Sequence, residues 1–224
     1  MDDAAKADQI RLLHRLQKEI GDFGGEPILK RLRRWRNVRS PQIDMVQVPY
    51  RSEWADAFTA EARCLRDAIS RADVQVHHFG STAIPGMASK PILDIAIALP
   101  DADAQAPRVV EDCLLSLGYT AWGESPIAAG TQWFWSSRGD GIQRAAHICS
   151  NADAWLSGAL NFRDYLSVFP EKRAVYESTK RRLAEQHAMD VAIYTLRKTL
   201  LMYSMIAEAN AWRERQTAVD DSLG

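Results

Sequence analysis

The spacing of apolar positions changes several times along the chain, and each change marks an element. Over residues 6–20, Ile10, Leu13, Leu16 and Ile20 recur every three or four residues, which predicts an amphipathic helix. Gly21, Gly24 and Gly25 break it, and Pro27 suits the first turn of a second short helix carrying Ile28, Leu29, Leu32 and Trp35. Ser40-Pro41 closes this N-terminal extension of residues 1–44. A firmer helix follows, with a candidate cap at Ser52, then Trp54, Phe58, Glu61 and Leu65, ending near Ser70. Val74 to His77 alternates as a strand, and the apolar run from Ile92 to Leu99 is a second strand, joined to the first by a compact Gly-, Ser- and Pro-containing loop. Residues 106–117 form another helix, stretches 131–136 and 144–150 are strands joined by Arg138-Gly139-Asp140-Gly141, and the chain after Asn151 is helical, with breaks near Pro170 and around 187–190. The order is a mixed α/β core at 45–150, a helical part at 151–213 packed on it, and a flexible tail at 214–224.

Composition narrows the class. The 224 residues are 46% hydrophobic and 25% charged with a formal net charge of -1, which supports an ordinary core and gives no general basic excess for nucleic acid. The one basic stretch, residues 30–39, is either a polyanion-binding patch or a solvated helix face. The 3 cysteines, Cys64, Cys113 and Cys149, match neither a disulfide framework nor a metal-binding spacing, so a reducing compartment is expected. No run approaches the roughly eighteen apolar residues of a membrane span, and the acidic, polar start has no signal-peptide core. A cytoplasmic protein is expected, without a membrane partner.

The chemistry-bearing stretch is His78-Phe79-Gly80-Ser81-Thr82, then Pro85-Gly86, then Lys90-Pro91-Ile92-Leu93-Asp94-Ile95. Gly80 lets the backbone approach an anion closely, and Ser81 and Thr82 offer hydroxyls. Asp94 sits among Ile92, Leu93, Ile95 and Ile97, where a carboxylate is costly unless a metal or a cation compensates it. It is therefore a candidate Mg²⁺ (or Mn²⁺) ligand, the alternative being a structural salt bridge or backbone cap. Lys90 is near enough in sequence to charge the same cleft.

With these motifs, residues 46–211 resemble the GrpB family of the nucleotidyltransferase superfamily. Residues 78–95 match its Gly-Ser-Thr loop, Pro-Gly turn and Lys-Pro-Ile-Leu-Asp strand. Asn161 to Leu166, Pro170, Tyr176, Lys180, Leu183-Ala184, Asp190, Tyr194 and Lys198 match its C-terminal helical pattern, and Val48-Pro49-Tyr50 and Trp54 its leading segment. The resemblance implies a polymerase-β-like nucleotidyltransferase fold with a mixed sheet and a C-terminal helical part. The Gly-Ser loop and Asp94, which can hold a triphosphate and its metal, make an NTP the expected substrate. In that superfamily the Gly-Ser loop precedes an Asp-x-Asp or Asp-x-Glu strand. Here the second acid is replaced by Ala96, which puts a two-metal mechanism in doubt and leaves one metal completed by Asp94, phosphates and water.

Further candidates follow. His147 is a catalytic candidate beside Asp94 and Lys90, or else a hydrogen-bonded core residue. His77 and His78 point to opposite sides of a strand, and the family pattern favours His78 for the substrate pocket. Arg163, Lys180 and Lys198 are phosphate ligands on the strength of their charge, with Gly80, Ser81 and Thr82. Asp190, Tyr194 and Lys198 share one helix face that either roofs the pocket or forms an internal ladder. Trp133 and Phe134 either pack a base or complete a small core, and Glu61 is either a metal-facing or a surface acid. The leading function is Mg²⁺-dependent transfer of a nucleoside monophosphate from an NTP to an unidentified small-molecule hydroxyl or amine. The alternatives are a noncatalytic nucleotide or metabolite sensor, and an RNA- or protein-binding module using residues 30–39. No motif sets the oligomeric state.

Overall fold

The structure is a computed structural model that describes residues 46–100, 104–125, 130–186 and 191–223. The expected N-terminal helices, the basic stretch 30–39 and Asp190 lie outside the described residues. Among those described, helix α1 (Glu53–Ile69) leads into β1 (Gln75–Phe79), a 3-10 turn (Ser81–Ala83) and β2 (Ile92–Leu99). Then come α2 (Ala106–Ser116), β3 (Thr120–Glu124), β4 (Gln132–Ser137), β5 (Gln143–Ser150), α3 (Ala154–Val168), α4 (Pro170–Gln186) and α5 (Val191–Leu223).

The sheet order is β1-β2-β5-β4-β3, with β2 and β5 parallel at the centre and the other neighbours antiparallel. The central position of β2 explains its nearly unbroken apolar run, since both faces are covered. On one face Leu93, Ile95, Ile97 and Leu99 pack with Trp54, Ala62, Leu65 and Ile69 of α1 and with Val110 and Leu114 of α2. On the other, Phe79, Ala96, Ala98 and Cys149 pack under Leu156 and Trp155 of α3.

The 80–90 loop is held like a plug. Ile84 and Met87 are fully buried among Phe162, Leu166, Tyr176 and Ile206 of the C-terminal helices. Val48 and Ser89 exchange backbone hydrogen bonds of 2.9 and 3.0 Å, clamping the far end of the loop. One face of α4 stitches it from the other side. Arg173 donates to the Pro85 carbonyl at 2.9 Å, the Glu177 carboxylate accepts from Ala88 N–H at 3.3 Å, and Lys180 donates to the Ala88 carbonyl at 3.1 Å. The core and the helical part thus share one buried interface through this loop.

Several expectations need correction. Strand β3 was absent from the sequence reading because it is a short, largely exposed edge strand interrupted by a bulge between Ala121 and Gly123. Ser52 makes no side-chain cap, and α1 instead ends on Ser70 in a left-handed conformation. The tail expected after 213 is the continuation of α5 to Leu223. Glu61 is neither metal-facing nor on the surface. It is 3% exposed and bonds Arg144 at 2.8 Å, Arg138 at 2.6 Å and the Tyr119 hydroxyl at 2.8 Å, on the side of the sheet away from Asp94.

Removing the carboxylate from this network would strand the buried Arg144 guanidinium, which also pairs with Asp140. Glu61→Ala is expected to lower unfolding free energy by about 3 kcal/mol in urea titration. A loss below about 1 kcal/mol would mean that Asp140 alone satisfies the arginine.

Candidate functional site

The antiparallel register sets Phe79 opposite Asp94, so β1 ends beside the carboxylate. The chain then turns at Gly80, whose φ of 73° lies in the region that favours glycine. A Cβ on Gly80 would sit 2.0 Å from Asp94 Oδ2 and 2.8 Å from its Cγ. The glycine is needed for closeness as much as for conformation: its backbone lies directly against the carboxylate.

Thr82 is committed to holding this turn. It is 2% exposed, and its hydroxyl donates to the Ile92 carbonyl at 2.8 Å. With that proton committed, the Thr82 oxygen accepts from His78 Nε2 at 3.1 Å. His78 itself stacks on Phe58 of α1, its ring centroid 4.5 Å away. His78 pairs with Ile95 and therefore lies on the opposite sheet face from Asp94, which corrects the expectation that it lines the pocket. Burial, then the nearby Arg163 charge, pushes its pKa down to about 4, so it is a neutral brace.

Three lysines from three separate elements converge on the carboxylate. Lys180 Nζ of α4 donates to Ser81 Oγ at 2.9 Å, and the Tyr176 hydroxyl shares a hydrogen bond with the same serine. Lys90 at the start of β2 and Lys198 of α5 lie on the ring of Tyr194, 5.6 and 5.9 Å from its centroid. All three ammonium groups act electrostatically on Asp94. Burial raises the Asp94 pKa to about 6 against their opposing pull. Burial and then the charge of Lys198 lower Lys90 to about 8 and Lys180 to about 7, and burial lowers Lys198 as well. The three ammonium groups disfavour one another's charge, and the carboxylates of Asp94 and, beside Lys180, Glu177 offset them only in part. An anion with several negative oxygens would complete the site.

The remaining candidates divide. Tyr194 is buried in the cluster, as the shared face with Lys198 requires. Arg163 is used otherwise: it donates to the His78 carbonyl at 2.8 Å and pairs with Asp164, tying α3 to the edge strand β1. His147 shares the Asp94 face, in register with Ala96, but is 4% exposed and enclosed by Phe79, Trp133 and Trp155. Burial lowers its pKa to about 4, too weakly basic for a proton acceptor near neutrality. Trp133 lies beside it, whereas Phe134 faces the other way, into the core under α1 and α2. The Ser81 contact of Tyr176 was missed; its spacing of four residues from Lys180 on α4 was the available signal.

Among the described residues no group of three or more acidic, histidine or cysteine side chains could cage a metal. Among these residues Asp94 is a hard oxygen donor of the kind that could hold a divalent ion.

Residues 44–208 match the family described as GrpB protein. The chain belongs to the GrpB family. A UPF0157 protein of Pseudomonas aeruginosa is 33% identical over 181 residues, which is 80% of this chain and 72% of that protein. The crystal structure of conserved protein GrpB from Enterococcus faecalis superimposes with a TM-score of 0.64 at 24% identity, covering 75% of this chain and 99% of that one. A looser likeness links the chain to Cid1, an RNA terminal uridylyl transferase, at a TM-score of 0.46 and 12% identity over 70% of this chain and 44% of that one; nothing about activity rests on it. This GrpB chain has a mixed α+β fold built on a five-stranded mixed sheet, in line with the likeness to the Enterococcus faecalis GrpB structure. Among the described residues no helix is long and apolar enough to cross a membrane.

Gly80→Ala is expected to destabilise the protein by about 3 kcal/mol, combining an unfavourable φ with a Cβ driven into Asp94. Chemical denaturation checks this. A change below about 1 kcal/mol would show that the Asp94 side chain is not fixed against the turn.

Proposed function

We propose that this GrpB protein binds a nucleoside triphosphate in the lysine cleft and transfers its nucleoside monophosphate to a small-molecule hydroxyl or amine. The observation that carries the reading is the convergence of Lys90, Lys180 and Lys198 on Asp94, with Lys180 also bonded to Ser81. Among the described residues the three ammoniums outnumber the Asp94 and Glu177 carboxylates, a balance that favours the negative charge of phosphoryl and nucleotidyl transfer.

In this reading Gly80 and Ser81 approach the terminal phosphates, and Lys180 and Lys198 neutralise them. Lys90, beside Asp94, balances charge as it moves onto the leaving group. Asp94 would hold one Mg²⁺ or Mn²⁺ against the phosphates; when bound, the ion supplies Lewis-acid polarisation of a phosphoryl oxygen. The acceptor oxygen or nitrogen forms a bond to the α-phosphorus, the bond from that phosphorus to the bridging oxygen breaks, and pyrophosphate leaves. The acceptor's proton leaves to water, because His147 is held too weakly basic to take it. The free cysteines Cys64, Cys113 and Cys149 suit the reducing, nucleotide-rich cytoplasm as the place of this reaction.

A second reading, a nucleotide sensor without turnover, is favoured by Ala96, which stands where the superfamily pattern has a second strand acid. Both readings share the phosphate site and differ in whether pyrophosphate appears.

Calorimetric titration of ATP, GTP, CTP and UTP, with and without Mg²⁺, tests the shared part. Saturable binding is expected, and Lys180→Met is expected to weaken it at least about tenfold, roughly 1.4 kcal/mol. Asp94→Asn should lose the Mg²⁺ enhancement while strengthening metal-free binding, since it removes a negative charge beside the phosphates. No binding by the folded wild type would remove NTP recognition. The pH dependence has a fixed sign. With Lys180 titrating at about 7 and Lys90 at about 8 in the free site, an arriving triphosphate raises both and takes up protons. Affinity should therefore fall from pH 7 to pH 9. Binding that is flat or strengthens over that range would place the phosphates away from these lysines.

A further inference from the structure

Two side chains of one helix hold the Ser81 hydroxyl. Lys180 Nζ donates to Ser81 Oγ at 2.9 Å, and the Tyr176 hydroxyl shares a hydrogen bond with the same serine. Tyr176 and Lys180 stand four residues apart on α4 and so share one face of it. The ammonium also lies 5.3 Å from the centroid of the Tyr176 ring and donates to the Ala88 carbonyl at 3.1 Å. Phe162 meets that ring edge-on, with centroids 5.1 Å apart and planes at 84°. Tyr176 and Lys180 are buried, whereas Ser81, Lys90, Asp94 and Lys198 are half-buried, so the serine stands between the helix layer and the open side of the cleft.

The proton count at Ser81 decides what the serine can offer a ligand. A hydroxyl has one proton to give and two lone pairs to accept with. An ammonium can only donate, so Lys180 occupies one of the lone pairs. Tyr176 keeps its proton at neutral pH, because burial, and then the charges of Tyr194 and Asp94, push its pKa above the ordinary phenol value. A buried hydroxyl proton needs an acceptor, and the second lone pair of Ser81 supplies one. With both lone pairs filled from α4, the single serine proton is left to point into the cleft. Were the phenol to accept instead, that proton would turn back toward α4, and an anion would meet only the serine lone pairs.

We infer that Tyr176 is a positioning residue that, by donating to Ser81 alongside Lys180, turns the serine proton into the cleft and makes Ser81 a hydrogen-bond donor to a phosphate oxygen. The inference rests on the phosphate reading of the lysine cleft and adds to it the residue that aims Ser81. It also defines the group that Ser81 takes: an oxygen with lone pairs and no proton, as on a polyphosphate, and not a hydroxyl or an ammonium. Phenylalanine at 176 would keep the ring under Lys180 and the packing on Phe162, and would lose only the aiming hydroxyl.

The test is calorimetric titration of inorganic tripolyphosphate into wild type, Tyr176→Phe, Ser81→Ala and the double variant. Each single variant should bind about tenfold more weakly than wild type, and the double variant should match Ser81→Ala within about twofold, because Tyr176 acts through Ser81. If Tyr176 served only to pack α4 or to seat Lys180, its loss would persist in the Ser81→Ala background. Losses that multiply in the double variant would therefore overturn the inference, as would a Tyr176→Phe protein that binds as tightly as wild type or more tightly. Should Tyr176→Phe fail to fold, 3-fluorotyrosine at position 176 gives a second reading, since it is a stronger donor and a weaker acceptor. It should bind tripolyphosphate at least as tightly as wild type, and weaker binding would mean that the phenol accepts. Failure of the phosphate reading is separately visible: the wild type itself would not bind tripolyphosphate, and the inference would fall with that reading.

Discussion

Three lysine ammonium groups gathered around the Asp94 carboxylate, with Glu177 beside Lys180, form the arrangement on which the rest of this structure depends. Like charges brought out of water raise one another's energy, and burial lowers the pKa values of Lys90, Lys180 and Lys198 while raising that of Asp94. Such a cluster persists only if the surrounding structure imposes it. Here the imposition is visible: Gly80 presses its backbone on Asp94, Ile84 and Met87 anchor the loop in the helical layer, and α4 holds the loop through Arg173, Glu177 and Lys180. The energetic deficit of the free cleft is what a polyphosphate would relieve. Stability and binding therefore pull on the same residues in opposite directions.

The period-two alternation of the strands separates two kinds of buried charge. On the α1 face, Glu61 closes a satisfied network with Arg144, Arg138 and Tyr119, and its task is structural. On the other face, Asp94 stands among cations that outnumber it. Complete satisfaction marks scaffold and incomplete satisfaction marks a place for a ligand.

Much of this was legible in the sequence, and the rest was hidden for physical reasons. The Gly80-Ser81 turn, the apolar strand around Asp94 and the proximity of Lys90 follow from local pattern, and the structure brings these residues together. Lys180 and Lys198 were picked out by family pattern and charge; their convergence on Ser81 and Asp94 depends on how α4 and α5 pack, which no local spacing encodes. His78 was placed on the wrong face because alternation shows only that His77 and His78 oppose each other. Which of them shares the face of Asp94 depends on pairing Phe79 with Asp94. Arg163 carried the right charge for phosphate but is used to tie α3 to β1. Glu61 was misread because its three partners lie 58 to 83 residues away in the chain, beyond any local pattern.

The central claim is that the lysine cluster around Asp94 is a phosphate site. A crystal structure of the protein with a nonhydrolysable NTP analogue and Mg²⁺ tests it most directly. The account predicts phosphate density against Gly80 and Ser81, within hydrogen-bond distance of Lys180 and Lys198, with a single metal on Asp94. Well-ordered analogue bound elsewhere, with the three lysines still facing an empty cleft, would contradict it.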